Sequence, residues 1–380
     1  MQHRQWDIFC RVIDNFGDAG VAWRLARQLV QEHEVPVRLW INDLAVLHRL
    51  IPSCRSDLAT QFCQGVEIRA WPEDFPQVSP ASVVIEAFGC RLPPTYLHAM
   101  SQLDQPPIWI NLEYLSAEPW VRTHHGLTSP HPSLPLTKYF FFPGYQHGTG
   151  GVLREQGLAQ QRAHFQRCGI SAFWQSMGLA PSRPDALHVS LFAYENAALH
   201  TLLNSWIKHP QAIVCLVPDG KIVSQLAAWL GETDIRTGMI YRRGHLEFYL
   251  LPFLDQDKYD HLLWACDLNF VRGEDSCVRA QWAARPFVWQ AYPQSEDAHW
   301  AKLDALNVLY TEGLPAVAAQ AMSRLWAAWN GRGDMDEAWT AFLLNKPALD
   351  AHAQQWPERL AEHGDLATNL LAFVEARQAL

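Results

Sequence analysis

No Cys-x-x-Cys pair occurs in this chain, although it holds eight cysteines, at positions 10, 54, 63, 90, 168, 215, 266 and 277. That absence argues against a structural zinc site and against a disulfide framework. Several of the cysteines sit inside apolar runs, as in IFCRV and IVCLV, and read as buried free thiols of a reducing compartment. No apolar run reaches membrane-spanning length and the N-terminus shows no signal-peptide pattern, so the expectation is a soluble, cytoplasmic protein without a membrane partner. Basic residues are in deficit. With 30 Lys and Arg against 39 Asp and Glu, the net charge is −9. This argues against nucleic-acid binding, which needs a basic face, and suits a cationic or neutral partner. A Gly-x-Gly-x-x-Gly turn is missing after the first strand-like run, which argues against a nicotinamide or flavin enzyme. No Ser/His/Asp or Cys/His pattern stands out, and no internal repeat or low-complexity tract is present.

What is there is a long alternation of strand-like and helical patterns. At 380 residues, 49% of them apolar, the chain has material for two cores. Its 17 tryptophans should mostly be core or rim packing. The first set of apolar runs is WDIFCRVI (6–13), VPVRLWI (35–41), VEIRAW (66–71), SVVIEAF (82–88), PIWINL (107–112) and KYFFF (138–142). A glycine-rich turn over 144–151 and a helical stretch over 160–177 follow. Residues 180–184 (APSRP) read as a linker. The second set is ALHVSLFAY (186–194), AIVCLV (212–217), LEFYLLPF (246–253), LNFV (268–271) and PFVWQ (286–290). Beyond about residue 296 the pattern is helical, ending in an amphipathic helix over roughly 357–377. Such alternation predicts α/β architecture: two Rossmann-like domains of parallel strands and flanking helices, facing a cleft, with helices at the C-terminus. The expected division is 1–182, 183–360, and a final helix over 361–380 that packs back on the first domain.

The stretch Arg272-Gly273-Glu274-Asp275-Ser276 is the most informative. It links a buried strand to a helix, so free backbone N–H groups and the positive end of a helix dipole meet at one glycine turn, a setting that suits phosphate. Arg272 adds a fork of donors matched to phosphate oxygens. Of the two acids, one is suited to sugar hydroxyls and the other to capping the helix. The plain alternative is a solvated turn with Asp275 or Ser276 as N-cap.

A second strand–turn–helix lies near the start. After WDIFCRVI comes Asp14-Asn15-Phe16-Gly17-Asp18-Ala19-Gly20, then a helix from Val21, whose Ala22, Leu25, Ala26, Leu29 and Val30 form one apolar face. Asp14 and Asp18 fall at the carboxyl end of the first strand, where open α/β sheets bind ligands. Turn formation and N-capping are their structural alternatives.

Other candidates divide more evenly. Asp255-Gln256-Asp257 matches the Asp-x-Asp pattern that holds a divalent metal in one class of glycosyltransferases, but it precedes a helix, and capping is the favoured reading. Phe253 suits either base stacking or the core. Glu113 and Tyr114 end a strand at the ligand-bearing edge and suit acceptor contact or a structural role. Tyr194 ends the first strand of the second set and suits the cleft. His124-His125 has no third ligand at metal spacing.

The run IDNFGDAGVAWRLAR (13–27), together with VRGEDSCVRAQWAARPFVWQAYPQ (271–294), resembles the bacterial protein-arginine rhamnosyltransferases that modify elongation factor P. NLEYLSAE (111–118), GGVLRE (150–155) and LPFLDQDKYDHLL (251–263) look like the same family, so the resemblance spans most of the chain. It implies an inverting glycosyltransferase of the GT-B kind, with dTDP-β-L-rhamnose as donor and one arginine on a loop of elongation factor P as acceptor. Carried over, the donor contacts are Asn15, Phe16, Gly17, Tyr194, Gln256, Arg272, Gly273, Glu274, Asp275 and Ser276, with Phe253 against the thymine. Asp18 is the implied catalytic base, and Asp14 and Glu274 are essential nearby. The family tolerates a non-acid at the position of Asp255, so neither a metal nor any other cofactor is expected. A GT-B enzyme with another donor or a non-protein acceptor is the alternative, and a nucleotide-sugar-binding regulator is a third class.

Overall fold

The structure is a computed structural model describing residues 5–13, 16–179, 185–233, 235–292 and 297–378. The chain forms two compact units, Met1–Gln156 with Leu360–Leu380, and Gly157–Arg359.

The first unit runs β1 (Trp6–Cys10), α1 (Gly17–His33), β2 (Val37–Ile41), α2 (Leu44–Leu50), β3 (Thr60–Cys63), β4 (Val66–Ala70), β5 (Val83–Ala87), α3 (Pro94–Ser101), β6 (Ile108–Leu112), α4 (Val121–His124), β7 (Thr128–Pro130) and β8 (Thr137–Phe141). Its sheet has the order β3-β4-β2-β1-β5-β6-β8-β7. The six inner strands are parallel, and β3 and β7 pair antiparallel at the two edges. β1, β2 and β5 are buried along their whole length, which is why they read as near-continuous apolar runs. The charge that β1 carries inside, Asp7, is matched by Arg38 of β2 through two hydrogen bonds of 2.6 Å. The edge strands carry no such run. β3 and β7 are short and mostly exposed, and the sequence pattern passes over them.

α1 begins at Gly17 rather than at Val21, because the Gly20 N–H already bonds to the Phe16 carbonyl at 2.9 Å. Gly17 and Gly20 are therefore helical, and the expected loop is shorter. α1 is buried on most sides, including Arg24, which is only 1% exposed. Glu155, just past the glycine-rich turn, accounts for that. Its Oε1 lies 3.1 Å from Arg24 Nη1 and 3.0 Å from Arg27 Nη2. One turn further on, Gln28 Nε2 donates to the Arg154 carbonyl at 2.7 Å and to Asp365 Oδ1 at 3.1 Å.

The second unit runs α5 (Leu158–His164), a π-helical turn Phe165–Gly169, α6 (Ile170–Ser176), β9 (Leu187–Leu191), α7 (Leu199–Lys208), β10 (Ile213–Pro218), α8 (Ile222–Leu230), β11 (Ile240–Arg243), β12 (Leu246–Leu251), α9 (Gln256–Ala265), β13 (Leu268–Arg272), α10 (Asp275–Trp282), β14 (Phe287–Gln290), α11 (His299–Thr311), α12 (Ala316–Trp329) and α13 (Met335–Ala361). The sheet order is β11-β12-β10-β9-β13-β14, parallel except for β11. The helical stretch that the sequence reading gave to the first domain belongs here. Phe165 stacks on His261 of α9 at 4.5 Å, with Trp264 at 5.7 Å. The division therefore falls at Gln156/Gly157, not near residue 182, and the expected linker 180–184 lies outside the described residues.

The chain ends in two helices rather than one. Pro357 sits inside α13, and α14 (Leu366–Gln378) starts after a break at Gly364, whose φ of 77° is left-handed. Asp365 Oδ1 then accepts from the Thr368 N–H at 3.0 Å and caps α14. α14 lies on the first unit, with Phe373 edge-on to Phe141 at 5.2 Å. Seven of the eight cysteines are buried, and Cys168 is exposed. Among the described residues no helix is long and apolar enough to cross a membrane.

Glu155→Ala removes from Arg24 the carboxylate that justifies its burial. Breaking a buried ion pair on one side typically costs about 3 kcal/mol or more. Urea unfolding followed by tryptophan fluorescence should show a loss of that size in the first unit, with Glu155→Gln milder. A loss under about 1 kcal/mol would mean that the network does not hold α1.

Candidate active site

In the second unit the winding reverses beside β9. From β9 the chain steps out to β10 and β12 on one side, and then β13 and β14 fill the other. The carboxyl edge at such a reversal leaves a crevice. There the Phe192 N–H bonds to the Phe270 carbonyl at 3.0 Å, which extends the ladder one step and brings Phe192 level with the end of β13. Arg272, the last residue of β13, is 7% exposed. Its guanidinium carbon lies 4.5 Å from the ring centroid of Phe192 and 4.4 Å from that of Tyr194. Among the described residues no carboxylate pairs with this guanidinium, and its buried Nε has no hydrogen-bond partner. Two aromatic faces partly replace the lost water. A buried cation with open donors is a ready receptor for an anion.

The turn behind it behaves as the sequence suggested in shape and differently in capping. Gly273 has φ 63°, and its carbonyl accepts from Trp289 Nε1 at 2.8 Å. Glu274 is the N-cap residue of α10, without a side-chain capping bond. Ser276 does not cap either. Its hydroxyl closes back on Arg272, accepting from the Arg272 N–H at 3.1 Å and donating to the Arg272 carbonyl. Ser276 thus fixes the backbone of the arginine. Asp275 is the first residue of α10, and its charge sits at the positive end of the helix dipole. Phe253 follows β12 half-buried, and Gln256 opens α9 at 3% exposure. Asp255 is an N-cap: Oδ1 accepts from the Lys258 N–H at 2.9 Å and Oδ2 pairs with Lys258 Nζ at 2.8 Å. Lys221 Nζ lies 5.8 Å from the Tyr194 ring, a second cation on the same edge.

The first unit has its own reversal, between β1 and β5. Asp18, in the first turn of α1, is 2% exposed. Its Oδ2 accepts from the Ile13 N–H at 2.9 Å, and its Oδ1 from the Tyr114 hydroxyl at 3.1 Å. These two bonds, one to each oxygen, fix the orientation of the Asp18 carboxylate. The charge of Asp18 also acts on Cys10, whose thiol is pushed well up, first by burial and then by that carboxylate. Tyr114 follows β6 and is 37% exposed. Its ring stacks on Phe88, with centroids 4.5 Å apart and planes 16° from parallel. Glu113 faces the strand instead, accepting from Asn111 Nδ2. Phe16 is half-buried at the start of α1, with the Arg49 guanidinium 5.2 Å from its ring, and Gly17 is the first helical residue. Asp14 and Asn15 lie outside the described residues.

Sequence reasoning missed two aromatics. Phe192 stands two residues before Tyr194, and period-2 alternation past the strand end would have put both on one side. Phe88 was counted as the end of a strand, although the glycine after it marks a turn.

Two α/β units, each with polar groups at the carboxyl edge of a largely parallel sheet, are the architecture of the GT-B fold. A solved glycosyltransferase from Rickettsia africae shares that fold at 9% identity, with a TM-score of 0.53 over 100% of this chain and 99% of that one. The chain belongs to the Elongation-Factor P (EF-P) rhamnosyltransferase EarP family, whose model matches residues 6–375. It is 49% identical to a protein-arginine rhamnosyltransferase of Pseudomonas putida, over 97% of this chain and 98% of that protein. A counterpart in Pseudomonas aeruginosa is 45% identical, with the same coverage. A solved structure described as the structural basis for EarP-mediated arginine glycosylation of translation elongation factor EF-P is 37% identical, with a TM-score of 0.72 over 99% of this chain and 100% of that chain.

Burying Arg272 with no carboxylate partner among the described residues should make it a liability for folding and an asset for binding. Arg272→Met, similar in length and apolar, is expected to keep or raise the thermal midpoint. It should weaken binding of inorganic pyrophosphate by about 10-fold or more in calorimetric titration. A large drop in thermal stability with pyrophosphate affinity intact would make Arg272 a structural residue.

Proposed function

We propose that this enzyme transfers L-rhamnose from dTDP-β-L-rhamnose to one arginine of elongation factor P, with inversion at the anomeric carbon and without a metal ion, in the cytoplasm. The observation that carries the donor side is the guanidinium of Arg272, buried against two aromatic rings at a glycine turn that opens a helix. Family membership supports the sugar and the acceptor.

The chemistry follows from charge. Inversion needs in-line attack opposite the leaving diphosphate, on which negative charge grows as the C–O bond breaks. Fixed donors aimed at that charge stabilise it. Arg272 and the N–H groups at the start of α10 are such donors, and Ser276 holds the arginine backbone in place. Phe253 offers a face to the base, and Tyr194, Gln256, Glu274 and Asp275 stand at the same sheet edge for the rest of the donor. Asn15, Phe16 and Gly17 complete the assignment from the first unit.

The nucleophile is the harder problem. An arginine side chain stays protonated, with a pKa above about 12, and its lone pairs are delocalised. As the C–N bond forms, one N–H proton must leave. Asp18, with one oxygen tied to a backbone N–H and the other to Tyr114, is a carboxylate fixed to orient that N–H and take its proton. Asp14 and Glu274 are assigned as essential acids alongside it. The products are the N-rhamnosyl arginine, dTDP and the proton first held by Asp18.

Mass spectrometry of elongation factor P after incubation with enzyme and dTDP-rhamnose tests the reading. One deoxyhexose on an arginine supports it, and an unmodified factor overturns it. Asp18→Asn should keep donor binding while turnover falls by about 100-fold or more. Near-normal turnover would remove Asp18 from the mechanism. Excess EDTA should leave the rate unchanged, whereas loss restored by Mg²⁺ or Mn²⁺ would return Asp255 and Asp257 to consideration as metal ligands.

A further inference from the structure

The pair formed by Phe88 and Tyr114 is costly in a way the fold does not require. Phe88 has φ 58° and Gly89 after it 65°. The left-handed region is a genuine outlier for a bulky residue, and such strain gathers at functional positions. The Phe88 N–H still bonds to the Leu112 carbonyl at 2.7 Å, so the β5–β6 ladder is kept while the chain turns sharply after it. The turn brings the Phe88 ring flat against Tyr114, at 4.5 Å. Neither ring is core: Tyr114 is 37% exposed and Phe88 half-buried. The solvent-exposed part of Tyr114 therefore lies beside the buried carboxylate of Asp18, joined to it by the Tyr114 hydroxyl.

We propose that Phe88 and Tyr114 form a stacking platform for the guanidinium of the acceptor arginine, and that the Tyr114 hydroxyl is the positioning group that sets Asp18 Oδ1 against it. This rests on the reading of the acceptor as an arginine. A guanidinium is planar, weakly hydrated and stacks on aromatic faces, whereas an ammonium does not match a flat ring in the same way. The chain handles its own arginine similarly in the second unit, where two aromatic rings attend Arg272. On this platform the plane of the guanidinium lies along the ring, and an N–H at its edge points to the carboxylate that Tyr114 holds. Ring and hydroxyl thus have separable duties. The ring binds the acceptor, and the hydroxyl aims the base.

Steady-state kinetics with elongation factor P and dTDP-rhamnose separates the two. Tyr114→Phe keeps the ring, so acceptor KM should stay within about two-fold while kcat falls about 10-fold or more. Tyr114→Leu removes the ring as well. It should raise acceptor KM about 2- to 30-fold on top of the same loss in kcat. Tyr114→Trp should restore KM without restoring kcat, and it replaces the leucine variant should that one unfold. Donor affinity should stay within about two-fold in all three variants. If KM does not respond to loss of the ring, the platform is wrong. If kcat does not respond to loss of the hydroxyl, the positioning role is wrong. Both outcomes are read against an active wild type. A wild type that leaves arginine unmodified overturns the acceptor reading itself, and the platform with it.

Discussion

The Arg272 guanidinium is taken out of water and given two aromatic faces where most buried arginines have a carboxylate. Elsewhere in the same unit the ordinary solution is used: Arg279 is 2% exposed and binds Asp260 through hydrogen bonds of 2.9 and 2.6 Å. Cation–π contacts are worth roughly 0.5–2 kcal/mol each, less than the penalty of burying a charge. The imbalance persists because surrounding structure enforces it. The β9 ladder sets the height of Phe192, the Ser276 hydroxyl clamps the Arg272 backbone from both sides, and Gly273 lets the chain leave the strand at once. A site built at the expense of stability makes sense when an anion completes it, and the nucleotide-sugar reading of this edge depends on that one residue.

In the first unit the equivalent support is polar and distant in sequence. α1 must stay fixed for Asp18 to keep its place, yet its buried side carries Arg24, Arg27 and Gln28. Glu155, the Arg154 carbonyl and Asp365 meet those groups. Two separate segments thus converge on one helix, and the start of the last helix of the chain is tied into the same network. This gives a physical role to GGVLRE (150–155), a stretch whose likeness to the family could be read but whose purpose could not.

What was legible in the sequence was what local pattern dictates. Central parallel strands such as β1, β9 and β13 are buried on both faces, so the composition of each announces it. The Arg272–Ser276 turn was legible because a strand, a glycine and a helix follow in order. The short edge strands were not, since β11 pairs through its backbone and exposes most of its side chains. Nor was the end of the long C-terminal helix, where a glycine and a capping aspartate outweigh a proline that α13 absorbs. Ser276 reads as a cap from sequence alone, because spacing cannot say that its hydroxyl turns back onto Arg272. Phe88 was hidden for the same reason: its left-handed backbone is a property of the turn, not of the residue.

The two units share one plan and differ in charge. In each, the chain leaves a central strand at the point where winding reverses, and a helix begins close by. The second unit sets a buried cation there and the first a buried carboxylate. Under the proposed reaction this matches the two charges that must be managed, an anionic leaving group and a cationic nucleophile. Each would be held by its opposite, and each protein charge has been withdrawn from water, so its field is little screened. The aromatic rings fit the same logic. Phe192 and Tyr194 hold a guanidinium that belongs to the protein, and Phe88 and Tyr114 are shaped to hold one that does not. A lysine in place of the acceptor arginine would keep its charge but lose the plane, so discrimination against it would come from geometry rather than from net electrostatics.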